Sequence, residues 1–171
     1  MMTTTTPIPL IDNYFLRALR EADNAALAQV IRAVSAEYGL SAEKGYSVAD
    51  PSLDRLSELY LAPAAQYWLV INKSGIIVGG AGFAPLIGEP TVCELQKMYL
   101  LNEARGLGLG KRLAQGVLAK AKERGYQCCY LETTAILPEA LHLYQKLGFR
   151  PCPRLGNTGH DDCEITLMLK L

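Results

Sequence analysis

Three glycines in five residues, Gly106, Gly108 and Gly110, stand between two cations, Arg105 and Lys111. A glycine inside a helix costs about 1 kcal/mol relative to alanine, so the segment reads as a turn ahead of a helix. Such a turn can aim several backbone N–H groups at one point. At the positive end of the helix that follows, those groups form a cradle for an anion. The helix dipole alone contributes roughly 0.3–1 kcal/mol, so useful affinity requires several N–H bonds made together. The charge distribution agrees. Residues 97–124 hold seven basic and two acidic side chains, whereas residues 1–96 hold six basic and ten acidic. Arg105, Lys111 and Arg112 at the turn are assigned to the anion, and Lys120, Lys122 and Arg124 to a solvated helix face. A Walker A loop requires Gly at position 105 and Ser or Thr at 112, and a dinucleotide fingerprint requires Gly at 111. Arg105, Arg112 and Lys111 exclude both.

Other reactive side chains form weaker patterns. His160 and Cys163 could pair as base and nucleophile, but spacing identifies no carboxylate to orient them. Asp161 and Asp162 could attract a cationic substrate, although a solvated loop explains them as well. The five cysteines are an odd number without metal-ligand spacing, and Cys128-Cys129 is not a C-x-x-C pair. They read as reduced, buried thiols of a cytoplasmic protein, with no metal site. The chain of 171 residues balances 17 basic against 17 acidic groups, which argues against a nucleic-acid coat or a polybasic membrane-surface protein. No apolar run reaches the length of a membrane span. The first residues lack a basic region followed by an apolar stretch, so no secretory signal is expected.

The elements that must position these residues follow from periodicity. Residues 1–10, rich in Thr and Pro, are expected to be a flexible N-terminal segment, with a single domain over 11–171. A strand is predicted at 14–17. Asp23 looks like the N-cap of a helix burying Leu27, Val30, Ile31 and Val34, which Gly39 ends. A shorter helix is predicted near 52–61. Strands at 67–72 and 76–83 are joined by the turn Lys73-Ser74-Gly75, and Gly79-Gly80 suggests a bulge or a close backbone approach. A strand over 92–101 runs into the glycine turn, and a helix over 111–124 stops at Gly125. After a strand at 128–133, Pro138 fits the first position of a helix with Ala140, Leu141, Tyr144 and Leu147 inward. His142 on that helix is expected to face solvent. Strands near 149–152 and 163–169 complete the chain. The order describes a mixed α/β domain with both hairpins and helical crossovers, not a regular βαβα array.

The loop pattern R-x-x-G-x-G, here Arg105, Gly108 and Gly110, resembles the pyrophosphate-binding motif of the GNAT superfamily of N-acetyltransferases, which use acetyl-coenzyme A. A strand leads straight into it, as Glu94-Leu95-Gln96-Lys97-Met98-Tyr99-Leu100 does here. Further on, the run Ala140-Leu141-His142-Leu143-Tyr144-Gln145-Lys146-Leu147-Gly148-Phe149 is similar to the family's A-x-x-[LF]-Y-x-x-x-G-F. Two motifs in order, over residues 14–171, carry the resemblance, which implies the family's acyl-CoA acyltransferase fold: an α/β domain of the α+β type, with a mixed, mainly antiparallel twisted sheet flanked by helices on both faces. One position departs: where the family often has Asn three residues before the Ala, this chain has Leu137.

The resemblance implies direct acetyl transfer from acetyl-CoA to an amine of a small molecule or peptide, without metal or covalent enzyme intermediate. It implies that N–H groups of Gly106, Leu107, Gly108, Leu109, Gly110 and Lys111, with Arg105, hold the pyrophosphate. Backbone groups of Met98, Tyr99 and Leu100 would pair with the pantetheine arm, and one N–H there could stabilise the oxyanion. An amine of pKa near 10.4 is neutral in roughly one molecule of 2,500 at pH 7, a handicap of about 4.6 kcal/mol. Glu94, eleven residues before Arg105, is a candidate base by resemblance; a salt-bridged strand glutamate is the competing reading. Tyr144 occupies the family's position for the acid that protonates the departing thiolate, and the resemblance implies that it contacts the cofactor. The acceptor would be set by residues 61–63, 85–90 and 153–162. A homodimer is compatible with the resemblance. A non-catalytic acyl-CoA sensor is the alternative, and the presence of Glu94 and Tyr144 weighs against it. A Rossmann oxidoreductase has the broken fingerprint against it.

Overall fold

The computed structural model describes residues 6–44, 46–156, 158 and 163–171. Its strands are β1 (Ile8–Ile11), β2 (Tyr14–Ala18), β3 (Gln66–Asn72), β4 (Ile77–Pro85), β5 (Val92–Leu100), β6 (Cys128–Thr133), β7 (Arg150–Pro151) and β8 (Ile165–Lys170). Its helices are α1 (Asn24–Glu37), α2 (Leu56–Leu59), α3 (Leu109–Glu123) and α4 (Pro138–Lys146). The strands form one sheet in the order β1-β2-β3-β4-β5-β6-β8-β7. Every pairing is antiparallel except β5 with β6. The mixed sheet with helices on both faces is the expected class.

β3 shows why both faces are covered. Its side chains alternate, as a pleated strand requires. Trp68 and Val70 pack with Leu109, Leu113 and Val117 of α3, while Tyr67, Leu69 and Ile71 pack with Leu27, Ile31 and Val34 of α1. The two stripes read from the sequence therefore close opposite sides of the same central strands. α4 joins the α3 side through Tyr144, with Phe149 just beyond it.

Several boundaries differ from the sequence reading. Residues 8–10, placed in the flexible segment, belong to an edge strand with Ile8 opposite Leu16 and Pro9 opposite Phe15. Proline is tolerated there because an edge strand pairs on one side only. Asp23 does not cap α1 by its side chain. Its carboxylate instead accepts from the Arg20 N–H at 2.9 Å and from the Arg17 guanidinium at 2.7 and 2.8 Å. The helix expected over 52–61 is a 3-10 turn, Leu53–Arg55, followed by the single turn of α2. Buried Leu53 and Leu56 anchor it. α3 begins at Leu109, two residues early, so Gly110 lies inside its first turn.

The glycines of β4 are a packing requirement. A Cβ on Gly79 would lie 2.3 Å from the Tyr99 carbonyl oxygen, one on Gly80 2.5 Å from the Tyr67 ring, and one on Gly82 2.6 Å from that ring. The close approach expected here is present, and β4 also has a register shift against β3, where Val70 faces Gly79 and Ile71 faces Ile77. Gly80→Ala should destabilise the fold by about 1–3 kcal/mol through overpacking, since the added carbon also meets the Trp68 carbonyl oxygen at 2.7 Å. Urea unfolding checks this: the midpoint should fall at constant m-value, and an unchanged midpoint would show that the ring can yield.

Candidate active site

β5 and β6 pair at three positions only, Val92 with Cys128, Cys93 with Cys129 and Glu94 with Tyr130. Beyond Glu94 they part. β5 continues beside β4 to Leu100, and β6 continues beside β8 to Thr133. The result is a wedge in the middle of the sheet. On its β4 side, β5 carries a bulge, with Lys97 at φ +49°. The opposite edge of residues 96–100 has no strand beside it among the described residues.

The wedge leads into a cavity of about 600 Å³. Its walls are Met98, Tyr99 and Leu100 of β5, Gly106, Gly108, Gly110 and Lys111 of the glycine turn, and Leu137, Ala140, Leu143 and Tyr144 at α4. At the apex lies a smaller cavity of about 80 Å³, which shares Met98, Tyr99, Leu137 and Tyr144 with the first and adds Glu94 and Gln96. A third cavity, of about 280 Å³, shares Glu94, Gln96 and Lys97 with the apex and is rimmed by Leu59, Ile87 and Asp50. The three line up across β5, passing Tyr144 first and Glu94 second.

The glycine turn is built as its composition requires. Gly106 and Gly108 have φ of +74° and +80°, a region that side chains resist. Gly108 is the N-cap of α3, and no side chain caps that end. The first bond counted into the helix runs from the Arg112 N–H to the Gly108 carbonyl at 3.2 Å, so the amides of residues 109–111 precede it. The uncapped N-terminus of a fifteen-residue helix thus adjoins the large cavity, a favourable place for negative charge. Leu109 itself is buried in the core and can contribute only backbone. Leu107 is half exposed.

The cations divide. Lys111 is exposed and lines the cavity, while Arg112 is exposed and does not line it. Arg105 lines the cavity, but its guanidinium is bound bidentately to Glu37 at 2.6 and 2.8 Å. Its Nε donates to the Leu100 carbonyl at 2.9 Å, and the group lies 5.1 Å from the Tyr38 ring centroid. Arg105 therefore ties the end of β5 to the end of α1. The same pairing holds the Glu37 carboxyl below its ordinary value.

Tyr144 is 8% exposed and borders both the large cavity and the apex. Phe149 meets its ring edge-on at 5.8 Å. Burial pushes its hydroxyl well above the usual phenol range. Glu94 is 6% exposed and accepts from Gln96 Nε2 at 2.6 Å; Gln96 Oε1 in turn accepts from the Tyr60 hydroxyl at 2.8 Å. Gln96 and Tyr60 were not foreseen. Period-two spacing from Glu94 signals Gln96, but nothing in the sequence signals Tyr60, which lies 36 residues away. Glu132 was also missed. Its carboxylate borders the apex and accepts from Tyr130 and Arg154, each at 2.7 Å, and from Thr158. Leu137 stands at the N-cap of α4 and lines both cavities.

His142 is exposed, as expected. Cys163 borders the apex cavity, whereas His160, Asp161 and Asp162 lie outside the described residues. Cys93, Cys128, Cys129 and Cys152 are thiols outside any disulfide. Among the described residues no group of His, Cys, Asp or Glu could hold a metal ion, and no helix is long and apolar enough to cross a membrane.

The model of the acetyltransferase (GNAT) family matches residues 31–149. The chain belongs to the GNAT family of acetyltransferases. It is 53% identical over 158 residues to the uncharacterised N-acetyltransferase YjgM of Escherichia coli (strain K12), an alignment covering 91% of this chain and 94% of that protein. Among solved structures it is similar to a GNAT acetyltransferase of Staphylococcus aureus Mu50, with a TM-score of 0.78 at 24% identity over 92% of this chain and 98% of that one. It is also similar to yncA of Salmonella typhimurium, solved with its cofactor acetyl-CoA, with a TM-score of 0.70 at 18% identity over 92% and 94% of the two chains. These structures share the fold. As a GNAT member the chain is an N-acetyltransferase, and the family uses acetyl-CoA.

Gly108→Ala tests the turn. An L-residue in the left-handed region costs roughly 1–2 kcal/mol, so the turn should reorganise and the KM for acetyl-CoA should rise about tenfold, with a smaller change in kcat. Steady-state kinetics with acetyl-CoA varied checks this, and an unchanged KM would remove the turn from cofactor binding.

Proposed function

We propose that this chain transfers an acetyl group directly from acetyl-CoA to a primary amine that enters on the side of Glu94. The observation that carries the reading is the line of three cavities through the opened β5–β6 wedge, with Tyr144 between the first two and Glu94 between the last two. A chain that only sensed an acyl thioester would need the first cavity alone.

In this reading the amides at 106–111 and Lys111 hold the diphosphate, and Arg105 fixes the wall behind it. The β5 segment Met98, Tyr99 and Leu100 runs alongside the amide-bearing arm, on the side where no strand lies beside it among the described residues. A backbone N–H there supports the oxyanion of the tetrahedral intermediate. Glu94 takes the amine proton, directly or through a water, and so reduces the deprotonation cost of about 4.6 kcal/mol. The bond from Gln96, itself fixed by Tyr60, keeps the carboxylate facing the apex. Tyr144 gives its proton to the thiolate as the C–S bond breaks. Leu59 and Ile87, 46% and 87% exposed at the rim of the acceptor-side cavity, support an acceptor whose amine is carried on an apolar body.

The burial that raises the Tyr144 pKa has a sign that can be checked. A phenol with a raised pKa keeps its proton throughout the range in which a primary amine loses its own. Activity should therefore rise with pH and show no alkaline decline before about pH 10, the ordinary phenol value. Tyr144→Phe should lower kcat about a hundredfold and leave acetyl-CoA affinity within about threefold by calorimetry. Thiol release across a panel of primary amines is the assay. Binding of acetyl-CoA with no amine-dependent release would defeat the transfer reading, and an unchanged kcat would remove Tyr144 from it.

A further inference from the structure

We infer that Tyr67 is a positioning residue, reaching from β3 beneath β4 to set the bulge of β5 and so the direction in which residues 98–100 face the wedge. This rests on the reading that the β5 edge serves the thioester. Tyr67 lines neither the large cavity nor the apex, so it acts through Lys97.

Four observations converge. First, the Tyr67 hydroxyl donates to the Lys97 carbonyl at 2.6 Å. Second, Lys97 is in the left-handed region, φ +49°, at the point where β5 spends an extra residue against β4: Gly80 faces Tyr99 and Gly82 faces Gln96. A lysine persists in that conformation only where its surroundings impose it. Third, the route from β3 to β5 exists because β4 has no side chains in the way. A Cβ on Gly80 would meet the Tyr67 ring at 2.5 Å, and one on Gly82 would meet it at 2.6 Å. Fourth, the ring is 1% exposed and packs against Tyr60 at a centroid distance of 5.2 Å. Tyr60 holds Gln96, the residue next to Lys97. Two touching tyrosines thus grip two adjacent residues of the bulge, one by its backbone and one by its side chain.

The physical consequence is specific. A carbonyl taken out of the ladder in the interior needs another donor, and Tyr67 supplies it. Burial pushes this phenol well above its ordinary pKa, so it remains a donor at every working pH. Without the donor, β5 regains stability by relaxing the bulge, and a shift of register turns the following residues to the other face. The ion pair of Lys97 with Asp50 holds the side chain but does not bond the carbonyl.

Tyr67→Phe keeps the ring and removes only the donor. In the ligand-free protein, hydrogen exchange of amides 96–99 should accelerate at least tenfold while the centres of β3 and β6 stay protected. The kcat should fall about tenfold and the acetyl-CoA dissociation constant should stay within threefold, because the glycine turn is untouched. Lys97→Gly, which accepts a positive φ without strain, should reduce the cost of Tyr67→Phe to less than threefold in the double variant. A lowered melting temperature with unchanged kcat and unchanged exchange at 96–99 would mean that Tyr67 only fills space, and would overturn the inference. Equal losses in both backgrounds would overturn it too. If the unaltered protein released no thiol with any amine, the transfer reading would fall, while faster exchange at 96–99 in Tyr67→Phe would still support the grip on the bulge.

Discussion

The separation of β5 from β6 after Glu94 is the constraint on which the site depends. A central strand ordinarily satisfies its N–H and C=O groups on both sides. Here β5 does so through Glu94 and then, among the described residues, keeps β4 as its one strand neighbour to Leu100. The bulge at Lys97 accommodates this, because an extra residue bends a strand and increases its twist. The space released becomes cavity, and a backbone edge that would otherwise close the sheet is left to face it. α4 enters the opening from the following crossover, which is how Tyr144, fifty residues from Glu94 in sequence, comes to border the same apex.

Electrostatics in the wedge are divided between backbone and side chains. The sequence offers three cations near the glycine turn, but the fold gives them different tasks. Arg105 is committed to Glu37, Leu100 and Tyr38, Arg112 does not line the cavity, and Lys111 does. The positive character facing the cavity therefore comes mainly from the uncapped end of α3. Fixed dipoles of this kind need no reorganisation when an anion arrives, whereas flexible surface cations must give up rotamer freedom.

The buried tyrosines show the difference between building the site and serving it. Tyr60 donates to Gln96, Tyr67 to the Lys97 carbonyl and Tyr130 to Glu132. A buried phenol ordinarily finds such a partner. Tyr144 makes no comparable bond among the described residues, although it is buried and borders two cavities. The first three hold strands, carbonyls and carboxylates in place. The fourth borders the space they enclose.

The sequence by itself determined the parts whose physics is local. The glycine turn was legible because only glycine adopts φ near +80° without cost, and the stripes of α1, α3 and α4 because a helix repeats every 3.6 residues. Tyr144 was legible as a position on the α4 stripe and Gly79-Gly80 as a bulge or close approach, whereas Leu137 stood out only through the family resemblance. Tertiary structure alone decided the rest. That Ile8–Ile11 is a strand depends on β2 being beside it, and that Arg105 is paired depends on Glu37, 68 residues away. The grips of Tyr60 on Gln96 and Tyr67 on Lys97 join residues at least 30 positions apart. Hydrogen bonds and ion pairs act over a few ångströms in space, and separations along the chain carry no record of which distant groups folding will bring that close.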